Sequence, residues 1–259
     1  MADSSDPESL PPEIGVTLLD DAFRLWIEPA IVERGLGLSR AEVSKALVVM
    51  SPSEMPKVLI NDEVRLIASF RAAGPIEKGQ EVTLADIAGV ESVHPADIDP
   101  NAGWLAFARI GDQISIAFDF RRNRLIAERL VERAAEFAQT AADSLEKGHL
   151  GPAIENGFAA IELAVKAEMY LIHDSPTQVH HKRVAWWNEW VKLGNAPDGS
   201  DAALEMLYRE RGASRYGDGP IAMTAGEVDE ALRQVHTVIK QTRVHSLIAQ
   251  VPELGESKT

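Results

Sequence analysis

The strongest constraint on this chain is a change of hydrophobic period near Arg124. Beyond it, apolar residues recur every three to four positions: Ile126, Leu130, Ala134, Phe137, Ala141 and Leu145, then Ile154, Phe158, Ile161, Val165, Met169 and Ile172. That spacing lays an apolar stripe along one side of an α-helix. Before Arg124 the period drops to two over several stretches, as in Ile114, Ile116, Phe118 and Phe120, which fall on one face of a strand. The two patterns demand different partners for burial. They predict an α+β protein: a mixed N-terminal module with β-hairpins over 13–122, and an antiparallel helical bundle over 123–250. The polar ends, 1–12 and 251–259, read as disordered tails.

Within the first module, two helices are predicted between 18 and 49. The first ends at Gly35 and Gly37, and Ser39 with Glu42 forms a capping box for the second. Strands follow over 58–60 and 64–70, with Asn61-Asp62 as the turn between them. Thr83 with Asp86 caps a short helical turn, and 94–103 reads as a loop. The segments 104–110 and 113–120 form a hairpin about Gly111-Asp112. Five helices are expected after Arg124. Gly148 breaks the first, and 174–176 ends the second. Ser175 or Thr177 caps the third, and Gly194 to Pro197 stops it. The fourth covers 202–214. Thr224 opens the fifth with Glu227 as its capping partner, and Val228, Leu232, Val235 and Ile239 form its stripe.

Charge narrows the function classes. The net charge of −14 opposes broad electrostatic attraction to nucleic acid or anionic membrane. The acidity is uneven, however. Residues 1–120 carry 9 Lys+Arg against 20 Asp+Glu, whereas 121–250 carry 16 against 18. A local basic site fits only in the second half. The chain has no cysteine, which excludes thiolate catalysis and Cys-based metal sites and suits a reducing cytoplasm. No apolar run approaches the roughly 18–20 residues that span a bilayer.

That basic site has an obvious candidate. Arg209, Arg211 and Arg215 fall within seven residues, flanked by Tyr208 and Tyr216 and closed by Gly217-Asp218-Gly219. Guanidinium forks match phosphate or carboxylate. The alternative is a solvated helix end whose arginines pair with Glu205 or Glu210. Glu162 and Lys166, at i and i+4, predict a surface salt bridge. His180 and His181 are adjacent, point about 100 degrees apart on a helix and chelate no common metal. One of them could still reach the arginine cluster and act as a base. Trp186, Trp187 and Trp190 cover more than one helix face, so at least one is expected in the core.

Two segments carry a family resemblance. The stretch 153–167, AIENGFAAIELAVKA, mixes small residues, one aromatic and an acidic-then-Lys pair, and it follows a helix ending ADSLEKG at 142–148. With the Arg-rich helix end, these resemble the HEPN domain (higher eukaryotes and prokaryotes nucleotide-binding), a small helical bundle. Active members are metal-independent ribonucleases with an Arg-x4–6-His motif at a dimer cleft. Here four residues separate Arg211 from Tyr216, and six separate Arg209 from it. The resemblance therefore implies Arg211 and Tyr216 at the catalytic positions, Arg209, Arg215 and Asn156 as binding residues, and neither metal nor cofactor. It implies a homodimer that binds RNA or nucleotide, in prokaryotic defence or stress. A phenol titrating near 10 replaces an imidazole near 6.5 and donates a hydrogen bond rather than accepting a proton. Weak or absent ribonuclease activity is the expectation. The alternatives are an active metal-independent endoribonuclease using another base, and a non-enzymatic dimerisation protein whose N-terminal module, assigned to no family, binds a protein partner.

Overall fold

The computed structural model describes residues 12–111, 113–173, 176–217 and 219–247. The tails expected over 1–12 and 251–259 lie outside these residues, apart from Pro12. The protein is α+β, and its contacts divide it into two compact units that meet between Phe120 and Arg121.

The first unit begins with α1 (Pro12–Ala22), which passes through a π turn (Phe23–Ile27) into α2 (Glu28–Glu33). This helical run starts earlier than the period-3.6 pattern suggested and ends before Gly35 and Gly37, both at positive φ. Phe23 and Ile27 on the π turn are fully buried, and Phe23 packs against Phe107 with ring centroids 5.3 Å apart.

The expected second helix is absent. Ser39 and Glu42 do form a capping box, but it closes only a three-residue turn, Arg40–Glu42. The chain then enters strand β1 (Lys45–Met50). Ala46 and Val48 pack with the π turn on one face of the sheet, while Leu47 and Val49 pack with Trp104 and Ala106 on the other. A strand buried on both faces has no alternation, so periodicity alone does not separate it from a helix.

β1 is central. Its neighbours are β2 (Lys57–Ile60) and β5 (Gly103–Ile110), and β5 pairs with β6 (Gln113–Asp119), giving an antiparallel order β2-β1-β5-β6. The β5–β6 hairpin is as expected from the sequence. On its outer strand, Ile116 packs into the core, whereas Ile114 and Phe118 stay exposed.

The pairing expected between 58–60 and 64–70 does not occur. Asn61 adopts a left-handed φ of 51° and turns the chain, but β3 (Leu66–Ala72) leaves for a separate two-stranded sheet with β4 (Ile87–Pro95). The Asn61 side chain explains the turn: its oxygen accepts from Ser44 N at 2.8 Å and its amide donates to Glu42 O at 3.0 Å. β4 also takes in His94 and Pro95, so the loop expected over 94–103 is shorter. Thr83 and Asp86 cap a three-residue turn as expected, the carboxylate accepting from Thr83 N at 2.8 Å.

The second unit is a bundle of five helices: α3 (Arg124–Glu146), α4 (Leu150–Ile172), α5 (His180–Lys192), α6 (Ser200–Tyr216) and α7 (Ala225–Ser246). The most buried line on α3 is Ala127, Val131, Ala134, Ala138 and Ala141, at helical spacing. Small residues on α4, among them Ala153, Ala160 and Ala164, are also fully buried, so the two backbones approach closely. The α4 and α7 stripes expected from sequence are in the core, with Ile172 only partly covered. α5 opens at Val179 without a side-chain cap; Thr177 instead accepts from Val179 N at 3.3 Å, and Ser175 lies outside the described residues. Thr224 and Glu227 do form the capping box of α7. Among the described residues no helix is long and apolar enough to cross a membrane.

Candidate functional site

Two short stripes build the site. On α4, Glu155, Phe158 and Glu162 are spaced three and four apart, and on α6 so are Tyr208, Arg211 and Arg215. Side chains at such spacing share one helix face. The helices pack with these faces together and run in opposite directions. Glu155 therefore meets Arg211 and Arg215, and Phe158 meets Tyr208 and Arg211.

Glu155 is the counter-ion of the arginine cluster. Its Oε1 lies 3.3 Å from Arg215 Nη1, and its Oε2 lies 4.0 Å from Arg211 Nε. The second approach is an ion pair without a hydrogen bond, since both atoms lack hydrogen-bond partners. The guanidinium of Arg211 sits 5.2 Å from the centre of the Phe158 ring, close enough for cation–π attraction. Neither Glu205 nor Glu210 takes the role expected of it. Glu205 accepts from the Asn188 amide at 2.6 Å, and Glu210 accepts from Ala222 N at 2.9 Å, which ties down the chain after α6.

Gly217, with φ of 70°, terminates α6. At that end Arg209 is exposed and makes no ion pair among the described residues. Tyr216 is 68% exposed, and the Arg215 guanidinium stands 5.6 Å from its ring centre. Asn156 lies beside Glu155, but its amide donates to Pro152 O at 2.7 Å, inside the first turn of α4. Three arginines against two carboxylates, Glu155 and Glu210, leave these described residues with one net positive charge in an acidic protein.

The i, i+4 bridge expected between Glu162 and Lys166 is not made. Lys166 leans over the Tyr170 ring, 6.0 Å from its centre. Glu162 faces α5 instead, where its Oε1 accepts from Arg183 Nη2 at 2.7 Å and contacts His180 Nδ1. Arg183 is buried and also donates to Thr177 O at 3.0 Å. The His180 ring stands 6.1 Å from Phe158, and the Tyr208 ring 5.8 Å from it. One buried phenyl ring thus borders the arginine cluster on one side and a Glu–His–Arg cluster on the other. The sequence held a signal for this second cluster, the 155/158/162 spacing, which the i, i+4 rule for Glu162 and Lys166 obscured. His181 is exposed on the neighbouring face of α5.

Trp187 is the core member of the tryptophan trio, donating through Nε1 to Ser200 Oγ at 3.1 Å. Trp186 and Trp190 stack on each other at 5.0 Å, partly covered. Among the described residues no cluster of three or more metal-ligating side chains forms.

Comparison with protein families gives the HEPN domain over residues 127–245, all of it within the helical unit. The N-terminal unit has no family match. Among curated proteins, none matches the chain.

Proposed function

We propose that this chain, whose helical unit is a HEPN domain, binds single-stranded RNA at the α6 end and carries little or no ribonuclease activity of the family's Arg-x4–6-His type. The observation that carries this reading is the exposed trio at that end: Arg209 and Arg215 as phosphate contacts, with Tyr216 beside Arg215 as a ring on which a base can stack. Arg211 supports them from behind, on the Phe158 ring. A free nucleotide would use the same guanidinium forks but would engage fewer of these exposed side chains at once.

The position that should carry a histidine holds a phenol. Tyr216 is exposed, and no side chain among the described residues is hydrogen-bonded to its hydroxyl. It can donate to a phosphate oxygen, but it is a poor proton acceptor at neutral pH. In this reading two copies pair, so that two arginine ends serve one RNA.

Fluorescence anisotropy of a labelled single-stranded RNA tests the proposal. Binding is expected at about 50 mM salt and should weaken as salt rises, by about 0.7 in log–log slope for each phosphate neutralised. Arg209→Ala and Arg215→Ala should each flatten that slope, and Tyr216→Ala should weaken binding with the slope unchanged. A Kd indifferent to all three substitutions, or no binding at low salt, overturns the reading. Light scattering at the same concentrations reads the dimer.

A further inference from the structure

The two sheets of the first unit leave a seam open between them. Among the described residues β6 pairs only with β5, β4 pairs only with β3, and no backbone hydrogen bond joins β4 to β6. A cleft of about 350 Å³ lies there instead, walled by residues 90–94 of β4 and 115–117 of β6. That volume is in the range of ligand sites. The opposite edge of the larger sheet is treated differently. Arg34, held by Glu63 at 3.1 Å, donates to Val58 O of β2 at 3.2 Å. A charged side chain thus covers that edge, a common protection of edge strands. β6 carries no Lys or Arg, and its single charge, Asp119, stands at its end.

What fits such a cleft follows from what lines it. A strand edge presents N–H and C=O groups along its length, and an extended chain matches that repeat. Val90, Val93 and Ile116 give the cleft apolar walls. The His94 ring is turned edge-on to Trp104, 6.1 Å from it. Glu91 is the one carboxylate of the lining, and the lining holds no Lys or Arg. β4 pairs Val90 with Phe70 and Ser92 with Ser69, so Glu91 is the extra residue of a bulge. A bulge re-aims the side chain that it frees. Glu91 is exposed and makes no ion pair among the described residues. Residues 1–120 carry 9 Lys+Arg against 20 Asp+Glu, a field that repels polyanions and draws in a cationic segment.

We propose that this cleft binds an extended segment of a partner protein, in which apolar residues alternate with Lys or Arg. The segment pairs with the edge of β6 through main-chain hydrogen bonds and so adds a strand to the four-stranded sheet. Its apolar side chains lie against Val90 and Ile116, and one of its cations meets Glu91. This role of the first unit is separate from RNA binding by the helical unit.

Hydrogen exchange of the full chain, read by mass spectrometry, tests this with a short capped peptide of alternating valine and lysine. The peptide should slow exchange in β4 and β6 and leave β2, whose edge Arg34 covers, unchanged. The same peptide N-methylated at alternate residues keeps its side chains and charge but loses main-chain donors. It should bind at least about tenfold more weakly, the worth of one or two such bonds. Glu91→Gln should weaken binding by about two- to fivefold, the range of an exposed ion pair, and Glu91→Lys should weaken it further. Unfolding curves of both variants should match that of the unaltered chain. No slowing of exchange in β6 by the peptide overturns the proposal. Equal binding of the N-methylated peptide also overturns it, leaving only charge attraction to an acidic unit. Undiminished binding by Glu91→Lys removes Glu91 from the site and overturns the cationic assignment. Protection of β6 that is present without peptide and is lost on dilution overturns the partner assignment, since a second copy then fills the cleft.

Discussion

Helix α4 holds two carboxylate–histidine pairs six residues apart, and they differ in almost everything but residue type. Glu162 meets His180 near the surface, with the Arg183 guanidinium bound to the same oxygen. Glu168 is 3% exposed and meets His245, from the last turn of α7, at 2.7 Å. Among the described residues Glu168 has no other ion-pair or hydrogen-bond partner for its side chain. The number of partners decides what each histidine is for. Glu162 keeps a permanent cation if its histidine is removed, so His180 is not needed to pair it. Glu168 has only its histidine, so His245 is part of the fold.

The largest test of this difference removes each histidine in turn. His245→Ala leaves a buried carboxylate without its one hydrogen-bond partner and should cost about 1–3 kcal/mol of stability. His180→Ala leaves Glu162 bound to Arg183 and should cost less than about 1 kcal/mol, as for a half-exposed hydrogen bond. Thermal and urea unfolding followed by far-UV circular dichroism reads both. Adding Glu168→Gln to His245→Ala should restore part of the loss, because the orphaned charge goes with it. Equal costs for the two histidines would break the comparison.

A second substitution asks whether position along α4 or the face of α4 makes the difference. Gly157 lies between Glu155 and Phe158 in sequence but points into the bundle. A Cβ there would stand 2.7 Å from Leu232 Cδ2. Gly157→Val should therefore destabilise by about 1–3 kcal/mol through overpacking. Gly226, in the first turn of α7, has open space around it, and Gly226→Ala should gain about 0.5–1 kcal/mol. If Gly157→Val were neutral, the close packing of α4 against α7 would be wrong.

Glu155 sharpens the comparison from the binding side. It shares itself between two arginines and bonds tightly to neither. Glu155→Gln removes the competing anion and should tighten RNA binding severalfold, less than the tenfold that about 1.4 kcal/mol would give. The salt dependence should steepen at the same time. Weaker binding after this change would mean that Glu155 positions the arginines rather than masking them.

How far this could be read from the sequence depended on which kind of burial each segment has. The bundle was legible because α7 is amphipathic and projects a single apolar face, while α4 keeps the helical period although it is buried on more than one side. β1 was not, because Leu47 is buried as deeply as Ala46 and Val48, with Val49 partly covered on the same face as Leu47, and a two-faced apolar run has no period. The β3–β4 sheet was missed because Asn61 makes the expected turn yet sends the chain to a different partner. Local turn chemistry fixes a bend but not what pairs beyond it. At the site, the arginine cluster was visible as a charge anomaly. Its counter-ion was not, since Glu155 is about fifty residues away and only the packing of α4 on α6 brings it there. Glu162 was misassigned for a related reason: the i, i+4 neighbour Lys166 competes with a buried guanidinium from another helix, and the buried partner wins.

A third kind of carboxylate completes the ordering and gives the smallest expected effect. Glu227 is exposed and, among the described residues, pairs with no cation; it accepts from Thr224 N at 2.7 Å and from Thr224 Oγ1 at 2.8 Å at the start of α7. The backbone hydrogen bond first, and then the hydroxyl, hold its carboxyl below the usual glutamate range. A depressed folded-state value means that the contribution is present above the ordinary glutamate titration and fades as pH falls through the lowered one. Thr224→Ala deletes the hydroxyl, which also accepts from Glu227 N at 3.3 Å, but keeps the amide bond. It should cost about 1 kcal/mol near neutral pH, as for other N-cap threonines. The cost should shrink in acid, where Glu227 is protonated and the hydroxyl no longer faces a charge. Unfolding curves of the two proteins at neutral and acidic pH measure this. A gap that stayed constant with pH would show that the cap acts only through the hydroxyl's bond to the Glu227 amide, with the carboxylate contributing nothing.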